Sequence, residues 1–191
     1  TTDQVKTNPG INNPGLVEPA GPTDPEVSFI SVQGVDGKPI ALLANYSLHY
    51  VGGVGPGHIS ADYFGAFAVK IGQLLGAGPE FVGIMSNGTS GDINNIDFRG
   101  GQAKEAAYGR IQIVANDVAQ AVAAAVKTVK HADSVPLRVA QKEIELGLRI
   151  PTKDEVEKAR EVMKSSKLFP RMETMEQVYA RETVLLADFP A

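Results

Sequence analysis

The run Pro39-Ile40-Ala41-Leu42-Leu43-Ala44 constrains this chain more than any other feature. A strand that is apolar on both faces belongs inside a layered sheet, so the run predicts a central, buried strand over Pro39 to Tyr46. Upstream, Val27 to Val32 reads as a second strand, joined to the first through a hairpin turn at Asp36-Gly37. Downstream, Ser60-Ala61-Asp62 opens a helix over Tyr63 to Leu75, with Phe64, Phe67, Ala68, Ile71 and Leu75 on the stripe that covers a sheet face. Glu80 to Met85 is a further short buried strand. Gln102 to Lys130 favours one long Ala-rich helix with Ala106, Ile113, Ala119, Ala124 and Val126 as its apolar positions. Leu137 to Leu148 alternates like a strand with at least one wet face. Pro151-Thr152 opens a helix with Glu155 at the capping-box position, and Met172 to Leu186 reads as one more helix. Strands and helices alternate, so the expected class is α/β: a layered sheet-and-helix domain, and only part of a larger one.

Composition sharpens this picture. The 191 residues fit one domain by length, and 43% of them are apolar, enough for a core. Of 20 Gly and 12 Pro, 18 and 8 fall in the first 101 residues, whereas 23 of the 40 charged residues fall in the last 65. Three stretches follow: an extended Pro/Gly-rich arm over 1–26, an α/β core segment carrying the site loops over 27–150, and a charged helical segment of the same domain over 151–191. Loops held by a rigid scaffold tend to carry function, which directs attention to Ser28 through Gly101.

The net charge is −4 and no basic run could track a line of phosphates, so nucleic acid is not an expected partner. The apolar stretch Ala119 to Val126, interrupted by Gln120, falls far short of the roughly 20 residues a membrane span needs. With no Cys, disulfides, thiolate zinc sites and thiol nucleophiles drop out together; a metal would sit on His, carboxylate or Tyr oxygen.

Three strand ends could carry chemistry. Asn45-Tyr46-Ser47-Leu48-His49 ends the central strand in a polar cluster, where an imidazole can bind a metal or simply cap the strand. Gly57-His58-Ile59-Ser60-Ala61-Asp62 follows a glycine loop; His58 could face the same pocket as His49, while Asp62 reads as a first-turn carboxylate favouring the helix dipole, with Ser60 its cap. Ser86 to Asp97 is almost all turn-forming residues, and successive N–H groups in such a loop can converge on an anion or oxyanion. No Lys follows its glycines, so it is not a P-loop, and an ordered loop tied by Asx turns is the plainer alternative.

Taken together, Asn45 to His49, Ile59 to Tyr63 and Asn87 to Asn95 resemble consecutive motifs of the neutral/alkaline (non-lysosomal) ceramidase family. Asn8-Pro9-Gly10 and Pro19 to Pro25 resemble the arm that precedes them in bacterial members. The resemblance implies a zinc hydrolase that cuts the amide of an N-acyl sphingoid base, with zinc held by two His, a Glu and a Tyr. His49 matches the second zinc His; no segment matches the other ligands, which implies an internal segment of a larger catalytic domain, with the remaining ligands outside this chain. Where the family carries its nucleophilic Ser, this chain has Asn94, in Gly91-Asp92-Ile93-Asn94-Asn95-Ile96. An amide forms no acyl-enzyme but can donate to an oxyanion, so metal-activated water is the expected attacker. On this reading Asn94 and Asp92 are catalytic, Ser90, Thr89, Asn95 and His58 line the substrate or shape the loop, and His49 binds zinc. A small-molecule or lipid substrate, the rest of the catalytic domain as partner, and a secreted or periplasmic setting are the further implications. A non-catalytic metal- or ligand-binding relative, or an unrelated α/β enzyme using the Gly-rich loop for phosphate, are the alternatives.

Overall fold

The computed structural model describes residues 4–91, 93–101, 105–164 and 174–189. They form two compact units, Thr1–Val135 and Pro136–Ala191.

The first unit holds strands β1 (Val27–Gln33) and β2 (Pro39–Tyr46), helix α1 (Asp62–Leu74), strand β3 (Val82–Asn87) and helix α2 (Gly109–Val126). The strands make one mixed sheet in the order β1-β2-β3. β1 and β2 are an antiparallel hairpin with Phe29 opposite Ala44, and the register shifts between Val32 and Gln33. The turn follows from its residues: Gly37 takes φ 78°, which only a residue without Cβ adopts freely, and the Asp36 carboxylate accepts the Lys38 N–H at 3.1 Å. Hydrogen bonding from Lys38, side chain first and backbone second, holds the Asp36 carboxyl below its ordinary range.

β2 and β3 run parallel, with Leu43 opposite Ile84 and Asn45 opposite Ser86. A parallel pair requires a crossover, here supplied by α1. Because strands alternate their side chains, Leu42, Ala44 and Met85 share one face, against which α1 places Tyr63, Phe67 and Ile71. The α1 backbone sits so close to β3 that a Cβ on Gly83 would lie 2.5 Å from the Ala68 carbonyl oxygen. α2 completes the layer with Ile111, Ala115, Val118, Ala119, Val122 and Ala123.

Several expectations are corrected here. β2 is central but buried on one face only among the described residues: Ile30, Leu43 and Ile84 line up across the opposite face and are exposed. The expected α2 stripe was out of phase. Ala119 is buried and Val126 packs partly buried against the core, but the helix starts at Gly109 and its buried i, i+4, i+7 register runs from Ile111, leaving Ile113 and Ala124 outside. Tyr63, absent from the expected α1 stripe, is fully buried. No strand forms over Leu137 to Leu148: the segment is exposed and without a partner for its backbone among the described residues, and a strand exists only as half of a ladder.

The second unit contains α3 (Lys153–Lys164) and α4 (Met175–Ala187), packed on each other. The capping box read from Thr152 and Glu155 forms: the Thr152 N–H donates to Glu155 Oε2 at 2.7 Å and the Glu155 N–H donates to Thr152 Oγ1 at 3.3 Å. Those bonds, backbone first, lower the Glu155 carboxyl pKa. α4 has a second capping box, Thr174 with Gln177, that the sequence reading missed by placing the helix start at Met172, outside the described residues. No described helix is long and apolar enough to cross a membrane.

Candidate functional site

Parallel pairing puts the carboxyl ends of β2 and β3 side by side, and short polar side chains knit them together. Asn45 Nδ2 donates to Ser86 Oγ at 2.8 Å, and Ser86 Oγ donates to the Ala44 carbonyl at 3.1 Å. The next residues extend the seam. The Gly88 N–H donates to the Tyr46 carbonyl at 2.9 Å, and the Ser47 and Thr89 hydroxyls lie 3.4 Å apart. A Cβ at position 88 would meet Ser47 Oγ at 2.5 Å, so any larger residue there would push the Ser47 hydroxyl out of this seam. Ser47 and Ser90 are both buried, so the loop opens with hydroxyls packed inward.

Two residues further, the His49 N–H donates to the Ile93 carbonyl at 3.3 Å. His49 therefore stands just past the end of a central strand, as its polar cluster predicts, with its backbone against the Ser86 to Asn95 loop. Its Nδ1 lies 3.3 Å from the Tyr50 carbonyl, and its ring is tilted on the Tyr50 ring with centroids 4.1 Å apart. Beneath it, Tyr63 Oη donates to the Leu48 carbonyl at 2.9 Å, fastening α1 to the strand end. Burial, reinforced by Tyr46 and Asp62, raises the Tyr63 phenol above its ordinary pKa, so the group is a permanent donor at neutral pH.

Asn94 is held by the N-terminal arm: its Nδ2 donates to Asn8 Oδ1 at 2.9 Å. The arm is tied to the same loop by the Asn12 N–H to the Phe98 carbonyl at 2.8 Å and by Arg99 Nη2 to the Val17 carbonyl at 3.1 Å. The Asn95 carbonyl accepts from Arg110 Nη2 at 2.9 Å, which links the loop to α2. Asp92 lies outside the described residues.

His58 is engaged elsewhere. Its Nδ1 lies 2.6 Å from Tyr108 Oη, with the two rings stacked, while Tyr108, at φ 66° before α2, donates its N–H to the Gly53 carbonyl. Asp62 does more than the helix-dipole role read from sequence: its carboxylate accepts N–H groups from Val51 at 2.9 Å, Gly52 at 2.8 Å and Tyr63 at 2.7 Å. It clips the glycine loop that follows His49. Ser60 is not the cap read from sequence: the N-cap position is Ala61, which has no side-chain cap bond, and Ser60 Oγ accepts the Asp62 N–H at 2.9 Å in a turn ahead of the helix. The Gly52-Gly53 pair, both at positive φ, is the signal that this loop needs an external anchor.

Among the described residues, no three His, Cys, Asp or Glu side chains converge as a metal site. His49 is thus a lone candidate ligand here, and the residues described do not by themselves fit a zinc ion.

Compared with protein-family models, with curated proteins and with solved structures, the chain matches none.

Proposed function

We propose that the joined carboxyl ends of β2 and β3 form part of the reaction surface of an amide hydrolase acting on an N-acyl lipid, of the kind the ceramidase-like motifs imply. One observation carries the reading: His49 and the Asn87 to Asn95 loop, matched to that family separately in sequence, meet at one strand end through the His49 N–H to Ile93 carbonyl bond. Zinc belongs to this proposal only through the resemblance.

What this chain's residues contribute is positioning. Attack on an amide carbon develops negative charge on its oxygen, which preorganised N–H donors stabilise. The loop after Gly88 offers backbone donors on a rigid base, and Asn94 adds an amide with two N–H groups, one of them committed to Asn8. The other N–H is the one that would donate to the oxyanion.

The test is fatty-acid release from N-acylsphingosine by the intact protein, in which this chain is joined to the zinc ligands that the resemblance places outside it, read alongside bound metal. Expected are turnover, its loss in His49→Ala together with bound zinc, and a fall of roughly 10²–10³-fold in Asn94→Ala with zinc retained. An intact wild-type protein that binds zinc and cleaves no amide refutes the reading. The second reading, a non-catalytic binding relative, is favoured by Asn94 standing where the family carries its nucleophilic Ser, and gains if the metal or lipid binds without turnover.

A further inference from the structure

Residues 4–26 form no helix or strand, and all of them but Pro9, Asn13 and Leu16 are exposed. None of them belongs to the hydrophobic core or packs against it. Among the described residues, three hydrogen bonds tie this arm to the rest of its unit, and all three end on the loop that follows Ile93. Asn94 Nδ2 donates to Asn8 Oδ1 at 2.9 Å, the Asn12 N–H donates to the Phe98 carbonyl at 2.8 Å, and Arg99 Nη2 donates to the Val17 carbonyl at 3.1 Å. Positions 8, 12 and 17 meet 94, 98 and 99 in the same order, so the arm lies along the loop rather than touching it at one point.

The arm also has a shape of its own. Asn13 folds it: its Nδ2 donates to the Pro9 carbonyl at 2.8 Å, its Oδ1 accepts the Gly15 N–H at 2.8 Å and its carbonyl accepts the Leu16 N–H at 3.1 Å. Gly10 and Asn12 stand at φ 90° and 55°, on the side of backbone space that glycine and asparagine tolerate. A segment that makes its own turns and buries no apolar side chain is held down only by polar bonds that water can replace, which places it at the low end of local stability. It can lift as a body while the sheet and its helices stay folded.

Asn94 is where this matters. In the proposed hydrolysis its amide faces the carbonyl oxygen of a substrate amide; in the folded chain it faces Asn8 Oδ1, which is itself the carbonyl oxygen of a carboxamide. Both amide hydrogens of Asn94 sit on one nitrogen, so an acyl group approaching the second shares its access with the arm. We propose that residues 8–17 are an autoinhibitory strap, in which the Asn8 carboxamide takes the place of a substrate amide at Asn94 and substrate enters when the arm lifts. This rests on the hydrolase reading of the loop. Its signature is specific: when only the lifted form binds substrate, the apparent affinity is the intrinsic one reduced by the lifted fraction, while the chemistry that follows is untouched.

The test removes the acceptor oxygen from the arm in the intact protein. Asn8 is exposed and outside the core, so Asn8→Ala leaves the fold in place. Two measurements are read together: hydrogen exchange of the Asn12 amide, which the strap protects through the Phe98 carbonyl, and initial rates on N-acylsphingosine. Loss of one net hydrogen bond raises the lifted fraction roughly 2- to 10-fold. Exchange at Asn12 is expected to quicken by that factor, and KM to fall by up to as much with kcat unchanged. Asn8→Asp, whose carboxylate is the stronger acceptor, is expected to move both the other way. Turnover with KM unchanged or raised in Asn8→Ala, or an Asn12 amide that exchanges no faster, overturns the strap and leaves the hydrolase reading standing. Absence of turnover from wild type and Asn8→Ala alike refutes the hydrolase reading, and the strap's role with it.

Discussion

Tyr63→Phe removes one oxygen from a fully buried side chain and tests how the candidate site is fixed to its scaffold. The phenol donates to the Leu48 carbonyl at 2.9 Å, one residue before His49. Phenylalanine keeps the packing against Phe67 and Ile71 but leaves a buried carbonyl without this donor, at a cost of about 1–3 kcal/mol. For a chain of this size that lowers Tm by roughly 2–10 °C at pH 7, measurable by differential scanning calorimetry. The pH dependence gives a second, independent reading. The phenol's folded pKa lies above its unfolded value of 10.0, so its contribution is complete below pH 10 and is lost as pH rises towards the folded pKa, where the unfolded chain ionises and the folded one does not. The gap in stability between wild type and Tyr63→Phe should therefore be flat from pH 7 to about 9.5 and narrow above it, by at most about 1.4 kcal/mol per pH unit. Amide exchange around His49 should quicken in the variant. A Tm unchanged within error at pH 7, or a gap that widens above pH 10, would refute the reasoning.

Gly83→Ala drives a Cβ to 2.5 Å from the Ala68 carbonyl oxygen, and because that atom is backbone the helix must shift; a loss of about 1–3 kcal/mol in urea unfolding is expected, against a negligible effect for alanine at exposed Gly91. Asp62→Asn keeps the shape of the side chain but weakens acceptance from Val51 and Gly52, so proteolytic nicking of the 50–58 loop should accelerate while helix content stays constant. Thr174→Ala removes the α4 capping box and should lower the stability of the second unit by about 1 kcal/mol, read by the far-ultraviolet circular dichroism melt. Glu155 gives α3 an acid-side dependence: its pKa is lowered in the folded chain, so its contribution is present above the ordinary carboxyl pKa and fades as pH falls through the folded one, a slope that Glu155→Gln should abolish.

Local signals proved legible wherever their partners lie close in sequence. The Asp36-Gly37 turn, the Thr152/Glu155 cap and the bounds of β2 follow from neighbouring residues, because turns, caps and strand alternation are settled by short-range sterics and hydrogen bonds. The position of His49 was also readable, since an apolar run that ends in a polar cluster marks a strand end. Tertiary structure alone decided the rest. That α1 carries β3 into parallel pairing with β2, and so sets the Gly88 loop beside Ser47 and His49, depends on contacts roughly 40 residues apart. The Asn94 to Asn8 bond spans 86 positions and the His58 to Tyr108 bond 50, and no local pattern encodes either. Asp62 read as a helix-dipole carboxylate because its true partners, the N–H groups of Val51 and Gly52, lie in a glycine loop whose path only folding sets. Leu137 to Leu148 shows the same limit from the other side: alternation specifies which face a strand would bury, but whether a strand exists depends on a neighbouring backbone, and that is a property of the assembled chain.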